Sequence, residues 1–120
     1  MAGKQIGEFS FKFTTFVNIP GPADVLRQVT WEGAASGFGT VFTTTTFSGS
    51  SKAGTFAEHG TAFMDNGDFL HGSGQGTYEN IGKHRWKTAG FLQLSDGRRI
   101  STEGEIDLAE RSWKGKLFEL

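Results

Sequence analysis

The stretch Thr61-Ala62-Phe63-Met64-Asp65-Asn66-Gly67-Asp68-Phe69-Leu70-His71 decides the fold. Asn-Gly between two extended, partly apolar runs is the strongest short-range signal for a β-hairpin. It places a fourth strand at about 54–64 and a fifth at about 69–79. Downstream, Asn80-Ile81-Gly82-Lys83 turns the chain into a sixth strand, 84–94. Ser95-Asp96-Gly97 leads to a seventh, 99–108, and Ala109 to Ser112 to an eighth, Trp113 to Leu120. Upstream, Gly49 to Lys52 separates the fourth strand from a β-branched third within 36–48. Before it, Val25, Val29 and Trp31 share a face with Arg27, and Phe9, Phe11 and Phe13 alternate with polar residues in a first strand. Ile19-Pro20-Gly21-Pro22 breaks the two apart, and a short helix at 21–27 is an alternative there.

Turn signals recur about every fifteen residues, more widely than in sandwiches, leaving long strands joined by hairpins. That pattern suits a single all-β domain over 1–120, an antiparallel up-and-down barrel of about eight strands, with a two-sheet sandwich as the alternative. Eighteen glycines, two prolines and twelve phenylalanines describe a folded chain in which glycine bends strands. With no cysteine, there are neither disulfides nor thiolate metal sites. Twelve basic and thirteen acidic residues are interspersed, so no basic stripe points to nucleic acid. No apolar run approaches the ~20 residues that span a membrane. No signal segment follows Met1, and a cytoplasmic location is the expectation.

Charge sets the faces of the last strands. Glu103, Glu105 and Asp107, and Lys114 and Lys116, pair across strands on the outside. Ile100, Thr102, Gly104, Ile106, Trp113, Gly115, Leu117 and Glu119 then face inward. In the sixth strand His84, Trp86, Thr88 and Leu92 point in, and an odd-length turn puts Tyr78, Gly76, Gly74, Gly72 and Leu70 with them. A two-residue turn at Asn66-Gly67 carries that face to Phe63, Thr61, His59 and Ala57, with His59 across from Gly74. A slip of one residue inverts this assignment and substitutes Glu58 and His71 for His59.

Inward glycines leave two readings: room for one small ligand, or relief of coiling strain with large neighbours filling the gap. On the first, Trp31, Phe63, Trp86, Trp113 and the row Gly72, Gly74 and Gly76 line an apolar cavity. His59 is then the candidate acid or base, and Arg27 or Tyr78 the stabiliser of an oxyanion. Glu119 is the partner of Arg27 or an acid near the mouth. Glu79 and Arg85 read as an outer cross-strand pair. The three histidines lack ligand-like spacing, and neither glycine-rich stretch opens a helix as a phosphate loop does. Neither a metal nor a cofactor is expected.

Gly72-Ser73-Gly74-Gln75-Gly76-Thr77-Tyr78-Glu79-Asn80-Ile81-Gly82 resembles the glycine-rich strand of the allene oxide cyclase and dirigent-protein barrels. The resemblance covers about a tenth of the chain and carries over no catalytic residue. It implies a barrel that holds an apolar molecule and steers its cyclisation or coupling without a cofactor, and such barrels often form homo-oligomers. The expected function is an apolar-ligand barrel acting as a cofactor-free isomerase, cyclase or lyase. A lipocalin-like carrier and a filled assembly barrel are the alternatives.

Overall fold

The alternation becomes eight strands: β1 (Gln5–Asn18), β2 (Arg27–Ala35), β3 (Gly39–Gly49), β4 (Ala53–Phe63), β5 (Phe69–Gly82), β6 (Arg85–Leu94), β7 (Arg99–Asp107) and β8 (Ser112–Glu119). The computed structural model describes residues 3–20 and 27–120. Each strand pairs antiparallel with the next, and β8 returns to β1, closing an up-and-down barrel with no open edge. Closure removes the sandwich alternative. Val25 and all but the last residue of the helix considered for 21–27 lie outside the described residues; Arg27 itself opens β2. No helix is long and apolar enough to cross a membrane among the described residues.

The β4–β5 turn differs from expectation in a way that matters. Gly67 N–H donates to the Met64 carbonyl at 2.9 Å, and Met64 N–H donates to the Asp68 carbonyl at 2.9 Å. Three residues, Asp65 to Gly67, therefore make the turn, with Gly67 in the left-handed region at φ 95°. One more turn residue shifts the register by one, so Ala62 pairs with Leu70 and Glu58 with Gly74. Glu58, Phe56 and Ala62 are buried inside the barrel. His59, Ala57 and Phe63, expected inward, are exposed on the outside, and Thr61 shares their face. The remaining inner faces follow the charge pattern: Ile100, Thr102, Ile106, Trp113, Leu117, Leu70, Tyr78 and Thr88 are all buried. Outside, Arg85 departs from its expected pairing with Glu79. It forms a forked ion pair with Glu105 at 3.0 Å, while Glu79 lies across from Lys87.

The middle of the barrel is packed solid with aromatics. Trp31 and Trp113 meet with ring centroids 5.3 Å apart, and Phe56 stands edge-on to Trp113 at 5.9 Å. Each buried indole N–H has a hydroxyl acceptor, Thr45 for Trp31 at 2.9 Å and Thr88 for Trp113 at 3.0 Å. Glycine makes room for the rings. Gly76 pairs directly with Gly90, and a Cβ on Gly76 would lie 2.5 Å from Phe56 Cζ. Gly104 pairs with Gly115, and a Cβ on Gly115 would lie 2.8 Å from Phe9 Cε1. At Gly76 and Gly115 the space a side chain would take is thus filled by neighbouring rings, while Gly74 lies against the Phe91 carbonyl and Gly72 borders a cavity.

Candidate functional site

This aromatic layer leaves a chamber at each end of the barrel. The wider one, about 300 Å³, opens among the β3–β4, β5–β6 and β7–β8 turns. Its walls are aromatic, including Phe13, Trp31, Phe47, Tyr78 and Trp86, and Arg27 is part of the lining, with its charge close enough to act on the Tyr78 hydroxyl. Alternation along β2 explains the arrangement, since Arg27, Val29 and Trp31 lie on one face and descend from rim to centre. Among the described residues, no carboxylate forms an ion pair with Arg27.

Two hydrogen bonds fix the β3–β4 turn over this chamber. Tyr78 Oη donates to the Ser50 carbonyl at 2.7 Å, and Trp86 Nε1 donates to the Ser51 carbonyl at 2.7 Å. Burial raises the Tyr78 pKa, with Arg27 pulling it the other way. Because the Tyr78 proton is already committed to Ser50, the hydroxyl has none to offer an oxyanion in this arrangement. That differs from the role expected of it.

The second chamber, about 70 Å³, lies on the other side of the tryptophans and is capped by Phe38 from the β2–β3 turn. Arg98 stacks over the Phe38 ring, 5.1 Å from its centroid. Glu58 lines this chamber and is 7% exposed. Its Oε2 accepts a hydrogen bond from Thr43 Oγ1 at 2.8 Å, and Oε1 has no donor among the described residues. Desolvation raises its pKa to about 7, against a smaller opposing effect of the Thr43 hydroxyl. An inward acid is what alternation along β4 gives once the turn is counted correctly. Sequence reasoning reaches Glu58 only as the substitute for His59, and it misses Thr43.

The other expected site residues scatter. Trp31 and Trp86 line the wide chamber and Trp113 the capped one, which Gly72 also borders. Gly74 and Gly76 lie on the inner face but border neither chamber. A Cβ at Gly74 would collide with the Phe91 carbonyl. Of the two placements expected of Glu119, beside Arg27 or near a mouth, the first does not occur: Glu119 is exposed at the capped end, while Arg27 lies at the wide end. Phe63 stacks edge-on against Phe42 and Phe69 on the outer wall, away from both chambers. His59 likewise faces outward, and His71 bonds Thr61 through Nδ1 at 3.0 Å. Among the described residues, no three His, Asp or Glu side chains converge as a metal site.

No family model, curated protein or solved structure matches the chain.

Proposed function

We propose that the barrel binds a flat apolar molecule bearing a carboxylate or similar anionic oxygen, held in the wide chamber. One observation carries the reading: a cavity of about 300 Å³ walled by aromatic rings has Arg27 in its lining, with the Arg27 charge acting on the Tyr78 hydroxyl beside it. That volume is at the lower bound for small-molecule sites, which are mostly apolar with a few placed polar groups. Tyr78 and Trp86 hold the rim in place, so little ordering accompanies binding. Carriage is favoured over isomerase, cyclase or lyase chemistry here. The Tyr78 proton is spoken for, and among the described residues of the wall the remaining titratable side chains are Arg27, assigned to the ligand's anionic oxygen, and His84, exposed in a turn.

Titration with 2-naphthoate, followed by tryptophan fluorescence, tests this. The expected result is saturable binding, weakened roughly tenfold or more by Arg27→Met, because hydrogen bonds to charged groups contribute about 1.5–3 kcal/mol. Neutral 2-naphthalenemethanol should bind both proteins within a few fold. Absence of saturable naphthoate binding, or equal affinity in the variant, overturns the reading.

A further inference from the structure

We propose that the capped chamber is a second, separate binding site, for a small aliphatic ammonium with Glu58 as its counter-charge. The chamber joins two features that together suit a cationic ligand. One is a carboxyl group buried inside the barrel and lining the chamber, with one oxygen held by Thr43 and the other without a donor among the described residues. The second is a lining that includes the aromatic residues Phe9, Phe11, Phe38 and Trp113. Aromatic faces attract cations most strongly when desolvated. Among the described residues, no Lys or Arg lines the chamber. A buried carboxylate without a cation is costly, and an ammonium entering with it restores neutrality and fills the vacant position on Oε1.

Size limits the ligand. The chamber's volume of about 70 Å³ is roughly a quarter of the wide chamber's 300 Å³. That suits an ammonium on a short aliphatic chain and excludes ring compounds of the size expected in the wide chamber. Charge state gives the site its pH dependence. β1, β6, β7 and β8 contribute Phe9, Phe11, Leu92, Thr102 and Trp113, none of them charged, and β3 contributes Thr43. From β5, His71 is the other titratable group at the wall, exposed and bonded to Thr61. Binding of a cation therefore follows the ionised fraction of Glu58.

Calorimetric titration with n-propylammonium, n-propanol and propionate tests the proposal on the intact chain. Propylammonium is expected to bind and propionate not, with propanol at least tenfold weaker. Affinity for propylammonium should fall about tenfold from pH 8 to pH 6, as a group with a pKa of about 7 takes up its proton. Glu58→Gln should abolish the preference over propanol. If that variant fails to fold, the wild-type selectivity and pH profile still decide. Propanol binding as tightly as propylammonium without pH dependence, or no binding by any probe, overturns the proposal. Neither result touches the naphthoate site, which lies beyond the tryptophan layer.

Discussion

At the scale of single residues, Glu58 is the position where chemistry and stability conflict. In the unfolded chain its carboxyl titrates near 4.5, and in the barrel near 7. Between those values the folded state holds more protons than the unfolded state, so stability falls as pH rises through that window and levels off above it. The shift corresponds to about 3 kcal/mol at 1.36 kcal/mol per unit. Glu58→Gln removes the titration. The difference in unfolding free energy between wild type and variant, from urea melts, should therefore change by about that amount from pH 4 to pH 8, in the variant's favour. A constant difference would place the carboxyl in contact with water. Arg27 and Tyr78 were legible in the sequence because β2 alternates from Arg27 to Trp31 and β5 from Leu70 to Tyr78. The commitment of the Tyr78 proton to Ser50 was not, because it depends on a turn 28 residues away in sequence.

At the scale of the element, β5 shows what its glycines do. A Cβ at Gly76 would meet both Phe56, at 2.5 Å, and the Ala89 carbonyl, so the fixed backbone of β6 blocks any adjustment. At Gly72 the nearest obstacle is Leu94 Cδ2 at 3.0 Å, the end of a flexible side chain. Gly76→Ala should therefore destabilise by about 1–3 kcal/mol or more, the range for overpacking, and Gly72→Ala by clearly less. Thermal melts of the two variants side by side check the ordering, and equal losses would mean that strand entropy rather than space is decisive. The β4–β5 turn shows where reading by element fails. Asp-Asn-Gly-Asp suits a two-residue turn with two left-handed positions and equally a three-residue turn with one, since glycine and asparagine fit both. Only the pairing beyond the turn, Ala62 with Leu70, separates them, and the whole inner face of β4 depends on the answer. The charged strands β7 and β8 had no such ambiguity, because like-signed residues at every second position mark the wet face independently of the turn.

For the whole molecule, closure is the governing property. Every pairing but one joins neighbours in sequence; the exception is β1 with β8, which brings the two chain ends together. Gly3 N–H donates to the Glu119 carbonyl at 2.9 Å. A short glycine-rich linker between the ends, with new ends between Asn66 and Gly67, should leave the barrel intact, because exposed loop tips tolerate such cuts. Circular dichroism of this permutant should match the parent, with a loss on the order of 1–2 kcal/mol from the opened turn. Failure to fold would make the 65–67 turn indispensable to closure. An up-and-down barrel follows from evenly spaced turns and long alternating strands. Its internal partition does not, because no local pattern announces that Trp31 and Trp113 will meet.

That partition has a thermodynamic corollary. The two indoles form a common wall, with Trp31 facing the wide chamber and Trp113 the capped one, and each ring is tethered to a single threonine. If a ligand at one end displaced its ring, it would press on the other ring across a centroid separation of 5.3 Å. Any factor by which one occupant changes the affinity for the other must then be returned in equal measure.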